Sequence, residues 1–352
     1  MRSLDRQFLE QQSVPVEMAG LIQVLGELKG RQELFSRQTP QVLEALREAA
    51  IIESTESSNR IEGVTVAPNR FKQLMLNPIR PKDRSEAEIL GYRDVLSRIH
   101  TTPDRFEVDE ETIREFHRQM FTQTDIPGGQ WKRRDNTIEE RLPNGRWVTR
   151  FAPVSARETP LYMKKSCTRF NRLRDEGRVS PLLLIPAFIL DFLCIHPFAD
   201  GNGRVSRLLT VLLLHQTGYG VGRYISLERL IEQSKETYYE ALHVSSNGWH
   251  EGRHSLNPWW EYSLGVLIGA YREFEERAGT ITKARGAKTA FVEQAIERLP
   301  LTFGIADLER VCPSVSRDMI RVVLNRLRKE GKLRCKGTGR KALWEKRGNK
   351  YQ

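Results

Sequence analysis

His196-Pro197-Phe198-Ala199-Asp200-Gly201-Asn202-Gly203-Arg204-Val205-Ser206-Arg207 is a polar, glycine-rich turn set between two apolar runs. Residues 187–195 are almost entirely apolar, and Leu208, Leu209, Val211, Leu212 and Leu213 resume the pattern after it. The spacing predicts two buried helices joined by a turn. Polar groups inside a core cost free energy unless partnered, so a turn this rich in charge points to a ligand. Gly201 and Gly203 allow a tight turn and a close approach of backbone N–H groups. Those amides lead into a helix, whose first-turn donors and dipole favour an anion. Arg204 and Arg207 are three residues apart on one helix face, and their guanidinium forks match phosphate oxygens. Asp200 suits a hard cation such as Mg2+, which takes few protein ligands and completes its shell with phosphates and water. His196 can accept a proton near neutral pH. Together these residues describe a nucleotide-phosphate site with its own base and metal ligand; the structural alternative is a helix–turn–helix joint with incidental charges.

The order of residues resembles the signature of the Fic family, His-Pro-Phe-x-Asp-Gly-Asn-Gly-Arg-x-x-Arg, and every fixed position is present. The resemblance implies an enzyme that transfers AMP from ATP to a hydroxyl side chain (Tyr, Thr or Ser) of a protein, itself included. On that pattern His196 deprotonates the attacking hydroxyl and Asp200 holds Mg2+ on the α- and β-phosphates. Gly201, Asn202 and Gly203 cradle phosphate oxygens, Arg204 meets the β-phosphate and Arg207 the γ-phosphate. Phosphoryl transfer asks mainly for such positioning and charge stabilisation. A second motif, Ser58-Asn59-Arg60-Ile61-Glu62-Gly63, resembles the family's inhibitory sequence Ser/Thr-x-x-x-Glu-Gly/Asn. It implies that Glu62 pairs with Arg207, withholding the guanidinium from the γ-phosphate and repelling that phosphate. Taken alone, the same residues read as a helix-ending turn with a surface glutamate. Some relatives use this glutamate to orient water and remove AMP, so de-AMPylation is the alternative activity.

The chain has 352 residues, enough for two or three domains. Its 39% hydrophobic and 29% charged residues fit a globular protein. No apolar run spans a membrane, since 182–195 is interrupted by Pro186, Asp191 and Cys194. The N-terminal residues Arg2, Asp5, Arg6 and Glu10 show no signal-peptide pattern. Cys167, Cys194, Cys312 and Cys335 lie far apart and read as free thiols, so a cytoplasmic location is expected. The net charge of +11 is uneven. Residues 281–352 hold 18 Lys+Arg against 7 Asp+Glu, which leaves 38 of each for the rest of the chain. The whole surplus therefore belongs to the C-terminal segment, which points to an appended nucleic-acid-binding or other acid-seeking module, with a soluble basic tail as the alternative.

In chain order, helical periodicity around Leu21, Ile22, Leu25 and Leu28 is expected to close at Gly30, and Thr39-Pro40 opens a helix that ends at Gly63. Helices are expected over 85–99 and 110–121. Asn144-Gly145 between residues 138–142 and 146–151 is a hairpin signal. Fic relatives carry a hairpin flap here that adds the target segment as an extra strand, which makes Trp147, Val148, Thr149 and Arg150 target-binding candidates. Trp147, Thr149 and Phe151 alternate with Arg146, Val148 and Arg150, so the aromatic face is equally a candidate for core. Tyr238 and Tyr239 resemble the segment near the adenosine, with a core role as the alternative. His243, His250 and His254 lack cysteine partners and read as loop residues, not a metal cluster. Residues 290–299, 305–311 and a third helix to about Glu330, capped by Ser314 or Ser316, precede a hairpin, the outline of a winged helix–turn–helix. In its third helix Ile320, Val323, Leu324 and Leu327 face inward, leaving Arg317, Arg321, Asn325 and Arg328 outward as DNA-binding candidates.

The expected fold is therefore mainly α. It has an N-terminal helical region over 1–110 with the inhibitory motif at 58–63, and a Fic-type core over 111–280 with its flap near 136–152. A winged helix domain over 281–352 follows. A DNA-binding regulator that uses the core as a nucleotide sensor is the alternative to an enzyme. Relatives pair as dimers, so a homodimer is among the partners the resemblance implies.

Overall fold

The computed structural model describes residues 3–38, 40–77, 79–141, 145–282, 287–312, 315–337 and 342–346. The chain begins with α1 (Arg6–Glu10), α2 (Val16–Gln38), α3 (Pro40–Ile61), α4 (Pro68–Leu76), α5 (Arg84–Thr101) and α6 (Glu110–Met120). A hairpin, β1 (Ile138–Arg141) and β2 (Trp147–Phe151), precedes α7 (Thr159–Glu176), α8 (Pro181–Ile195) and α9 (Asn202–Gln216). Next come α10 (Leu227–Gln233), α11 (Lys235–Ser246) and the long α12 (Asn257–Thr282). The C-terminal part holds α13 (Ala287–Arg298), β3 (Thr302–Gly304), α14 (Ile305–Val311), α15 (Arg317–Lys329), β4 (Leu333–Lys336) and β5 (Leu343–Lys346). The fold is mainly helical, as expected.

Local chemistry explains the boundaries that matter. Asp83 and Asp109 cap α5 and α6 by accepting the N–H groups of Glu86 and Thr112, at 2.9 and 2.7 Å. Pro181 begins α8, where a missing N–H is harmless, and Pro197 prevents the helix from passing His196. Gly63, at φ 77°, ends the turn that follows α3. Helix α8 is buried on every side, and the indoles of Trp259 and Trp260 on α12 donate to the carbonyls of Pro186 and Leu183, each at 2.9 Å. Those bonds fix α12 across the most apolar helix of the core.

Buried residues form two separate cores. One draws on residues 4–278 and centres on α8 and α9. The other is made within residues 292–344, from α13, α14, α15 and a three-stranded antiparallel sheet of order β3-β5-β4. Polar contacts join the second unit to the first: Lys72 pairs with Asp307 at 2.9 Å, and Arg310 donates to the Leu76 carbonyl at 3.2 Å. Among the described residues no helix is long and apolar enough to cross a membrane. The four cysteines are unpaired.

Two expectations need correction. Gly30 does not close a helix, because α2 continues to Gln38 along α12, where Arg31 pairs with Glu275 at 3.0 Å. Such contacts outweigh the ~1 kcal/mol propensity cost of an internal glycine. The charged stretch from Tyr271, which reads in sequence as a long helix end or a linker, is a helix end, with α12 unbroken to Thr282. His243 is not a loop residue but lies on α11. His250 and His254 are in loops, and no group of three or more metal-ligating side chains occurs among the described residues. Thr39, Leu142, Asn144 and Ser314 lie outside the described residues, and Ser316 caps α15.

At Gly91 on α5 an added Cβ would lie 2.3 Å from the Met120 carbonyl oxygen of α6. Gly91→Ala is expected to destabilise the protein by about 1–3 kcal/mol, because backbone must move to admit the methyl group. Gly265→Ala, at an exposed site on α12 with open space around it, is expected to raise stability by about 0.5–1 kcal/mol. Urea unfolding of the two variants beside the parent measures both.

Candidate active site

The loop after α8 is held from several directions. His196 adopts φ 50°, the one positive value at a non-glycine among the described residues, so the histidine occupies a strained turn position. Asn202 closes the loop with its side chain: Oδ1 accepts the Phe198 N–H at 2.9 Å and Nδ2 donates to the Phe198 carbonyl at 2.8 Å. Gly201 sits at φ 79°, and a Cβ there would meet the Phe121 ring at 2.8 Å. The ring of His117 stacks on Phe198 at 3.8 Å. Nδ1 of His117 accepts the Gly129 N–H at 2.8 Å, so the proton is on Nε2, which donates to the Asp200 carbonyl at 3.1 Å. Lys132 completes the bracing by donating its ammonium to the Ile195 carbonyl at 3.1 Å and its backbone N–H to the Pro197 carbonyl at 2.8 Å.

These contacts present His196 to a cleft of about 380 Å³. Its Nδ1 lies 3.3 Å from the Leu193 carbonyl. A carbonyl only accepts, so the proton is on Nδ1 and the Nε2 lone pair is free. Burial pushes the imidazole pKa down to about 4, with the Leu193 carbonyl opposing and Lys132 adding to the shift. The ring is therefore neutral at pH 7 and can take a proton.

Arg207, 3% exposed, does not itself line this cleft but pairs with Glu62, which does. Its Nε donates to Ser58 Oγ at 2.8 Å, and one terminal nitrogen donates to the Ser58 carbonyl at 2.9 Å and to Glu62 Oε1 at 2.8 Å. Glu62 Oε1 stands directly over Gly203, where an added Cβ would come within 2.1 Å of it. A carboxylate thus sits at the first turn of α9, the place where helix amides favour an anion. The end of α3 that delivers it is pinned by Ser54, which donates to Glu228 at 2.6 Å, and by Lys235, which donates to the Ile61 carbonyl at 2.9 Å.

The other motif residues divide differently from the sequence expectation. Arg204 does not line the cleft; it is buried beneath it, paired with Glu88, and its guanidinium lies 3.3 Å from Asn59 Oδ1. Its neighbour on the helix face, Arg207, pairs instead with Glu62, just past the end of α3. Asn202 uses its amide on Phe198 and shapes the loop rather than reaching outward. Asp200 is half-exposed at the rim, with Oδ1 accepting the Gly201 N–H at 2.6 Å and Oδ2 facing Arg84, also at 2.6 Å. A hard, half-exposed carboxylate beside the glycine turn would suit Mg2+ held through one protein ligand once the guanidinium on it has moved away.

One wall of the cleft is α11, with Tyr239, Leu242, His243 and Ser246 on one helical face. Tyr238 is 4% exposed and packs on Trp259 and Tyr262, while Tyr239 is half-buried on the cleft side. The hairpin forms the opposite wall. β1 and β2 are antiparallel, with Glu139 opposite Thr149 and Arg141 opposite Trp147. Arg150 reaches the cleft and donates to the Tyr239 carbonyl at 3.0 Å. Trp147 is 61% exposed and Thr149 is exposed, so the aromatic face is not core; Val148 and Arg150 are the more buried pair. The ladder is irregular between Ile138 and Glu139, and Phe151 turns inward to stack on His250 at 5.4 Å, which anchors the hairpin.

Residues 107–214, which hold the loop, match the Fic/DOC family. The chain carries a Fic domain. Solved structures share the fold. A Fic family protein from Desulfovibrio desulfuricans superposes with a TM-score of 0.62 at 19% identity, covering 97% of this chain and 98% of that one. A Fic domain containing signaling protein from Bacteroides thetaiotaomicron gives 0.62 at 24% identity, covering 72% and 96%. Protein adenylyltransferase Fic of Drosophila erecta is 28% identical over 166 residues, 46% of this chain and 30% of that protein. The match thus spans less than a third of that relative's length.

His117, Lys132, Glu88 and Arg84 touch the Fic motif but were not singled out from sequence. Their partners are 63 to 116 residues away, and nothing local marks them. Five histidines bear on pH. Burial lowers the pKa of His117, His196, His215 and His254 to about 4 and of His100 to about 3, from an unfolded value of 6.5. The unfolded chain then binds more protons between pH 6.5 and about 4, so stability is full above that window and falls as pH drops through it. Thermal unfolding at pH 5.0 is expected several degrees below that at pH 7.5, and His100→Gln, remote from the cleft, is expected to shrink the difference.

Proposed function

We propose that this Fic-domain chain transfers AMP from ATP to a hydroxyl side chain of a protein and is restrained by its own Glu62. The observation that carries the reading is Glu62, which lines the cleft that His196 faces, stands over Gly203 and pairs with the buried Arg207. The target hydroxyl oxygen attacks the α-phosphorus, its proton passes to Nε2 of His196, and the bond to the pyrophosphate oxygen breaks. Negative charge on the departing pyrophosphate is met by the first amides of α9 and by Arg207. Asp200 would hold Mg2+, which supplies charge neutralisation at the phosphates. An extended target segment pairing with the hairpin edge would bring its hydroxyl to His196 with little demand on target sequence. While Glu62 is in place, the γ-phosphate meets a carboxylate where it needs the guanidinium. Glu62 also borders the cleft beside the base, which favours a second reading in which it orients water to remove AMP.

Glu62→Gly incubated with ATP and Mg2+ is expected to gain the mass of AMP on itself or a target about 10–100-fold faster than the parent, by mass spectrometry. His196→Ala in that background is expected to abolish the gain. No labelling by any nucleotide in Glu62→Gly, with His196 intact, sinks the reading.

We read the C-terminal unit as a winged helix that binds DNA. In α15, Ile320, Val323, Leu324 and Leu327 are buried, while Arg317, Arg321, Asn325 and Arg328 are exposed on the other side. The charge surplus lies in the same segment. Gel shifts on duplex DNA are expected to weaken steeply with salt, and Arg317→Ala with Arg321→Ala is expected to reduce the log–log salt slope by about 2. An unchanged slope means that α15 is not the contact.

A further inference from the structure

Asp200 belongs to a closed ring of alternating charges. Arg84, in the first turn of α5, donates to Asp200 Oδ2 at 2.6 Å and also pairs with Glu88 one turn along the same helix. Glu88 pairs with Arg204, and Arg204 lies 3.6 Å from Asp200 Oδ1. The ring has a sealed half and an open half. The side chains of Glu88 and Arg204 are 2% and 1% exposed, whereas those of Arg84 and Asp200 are 56% and 48% exposed. Buried opposite charges must stay paired, so Glu88 and Arg204 form a neutral unit that needs no third member. Arg84 is therefore free to leave without orphaning a buried charge.

The occupancy of Asp200 bears directly on metal binding. Oδ1 accepts the Gly201 N–H at 2.6 Å, so Oδ2 is the oxygen turned outward, and Arg84 covers it. A divalent cation arriving at Oδ2 meets a guanidinium within hydrogen-bonding distance, and like charges at that separation repel strongly where solvent is only partly present. Mg2+ also needs its carboxylate ligand at short range, so the two cations cannot share the oxygen. The long side chain of Arg84 can swing into water at little cost, since half-exposed ion pairs contribute little stability.

We propose that Arg84 is a resident cation at the metal position. It holds the Asp200 carboxylate in place when no nucleotide is bound, and it competes with the divalent ion for Oδ2. Metal loading and release of Arg84 are one exchange, so Arg84 sets the metal concentration at which the site fills. The inference rests on the reading of Asp200 as the metal ligand. A mere surface ion pair would leave metal affinity unchanged when removed.

Mn2+ serves as the probe. Free Mn2+ is titrated by electron paramagnetic resonance against protein carrying Glu62→Gly, with a non-hydrolysable ATP analogue present. Adding Arg84→Ala is expected to tighten Mn2+ binding about threefold to tenfold, with the gain shrinking as salt rises. Arg84→Lys, which keeps the charge, is expected to stay near the parent, and Arg84→Ala is expected to melt within a few degrees of it. Equal or weaker Mn2+ binding in Arg84→Ala, with the analogue bound in both proteins, overturns the role of Arg84 and leaves the reading of the cleft intact. Absence of nucleotide-dependent Mn2+ binding in both proteins, or binding that survives Asp200→Asn, overturns the metal assignment and this inference with it.

Discussion

A guanidinium buried to 3% exposure cannot be left without an anion, and Arg207 is such a group. Breaking one side of a buried ion pair costs about 3–5 kcal/mol, so whatever sits beside Arg207 must be negative. A carboxylate or a phosphate can meet that need, but one position holds only one of them. Much of the surrounding structure follows from that constraint. Gly203 carries no side chain because an oxygen must come against the backbone there. Helix α3 ends where it does so that Ser58 and Glu62 reach across to α9. Ser54 and Lys235 hold that end so the carboxylate stays aligned.

The residues of the loop separate into those that face the cleft and those that give the loop its shape. His196 faces the cleft in a backbone conformation that an L-residue rarely adopts. Asn202, His117 and Lys132 supply the contacts that keep it there, and each uses its polar atoms on the backbone of residues 195–200. Arg204 works one layer deeper, joining α9 to Glu88 of α5. The polar character of the loop is therefore as much a matter of satisfying buried donors and acceptors as of greeting a ligand.

Particular elements show where sequence reasoning succeeds. The helices around the loop were legible because α8 and α9 are long apolar runs broken by a glycine-rich turn. The hairpin was legible from the period of 2 on both sides of Gly145. Sequence reasoning went astray where a distant partner decided the outcome. Gly30 stays helical because α12 lies alongside, and His243 lies on α11 rather than in a loop. Arg204 and Arg207 share a helix face in sequence, yet their carboxylate partners are Glu88 of α5 in one case and Glu62, after α3, in the other.

By itself the sequence determined what is local: the periodicity that makes α8 and α9, the glycines that permit the turn, the order of His196, Asp200 and Arg207, and the charge of the C-terminal segment. Local patterns suffice there because backbone conformation and helix-face spacing depend on residues a few positions apart. Tertiary structure alone decided which charge answers which. Glu62 and Arg207 are 145 residues apart, and Arg84 and Asp200 are 116 apart. Electrostatic partnership depends on distance and burial in space, and no spacing along the chain records either.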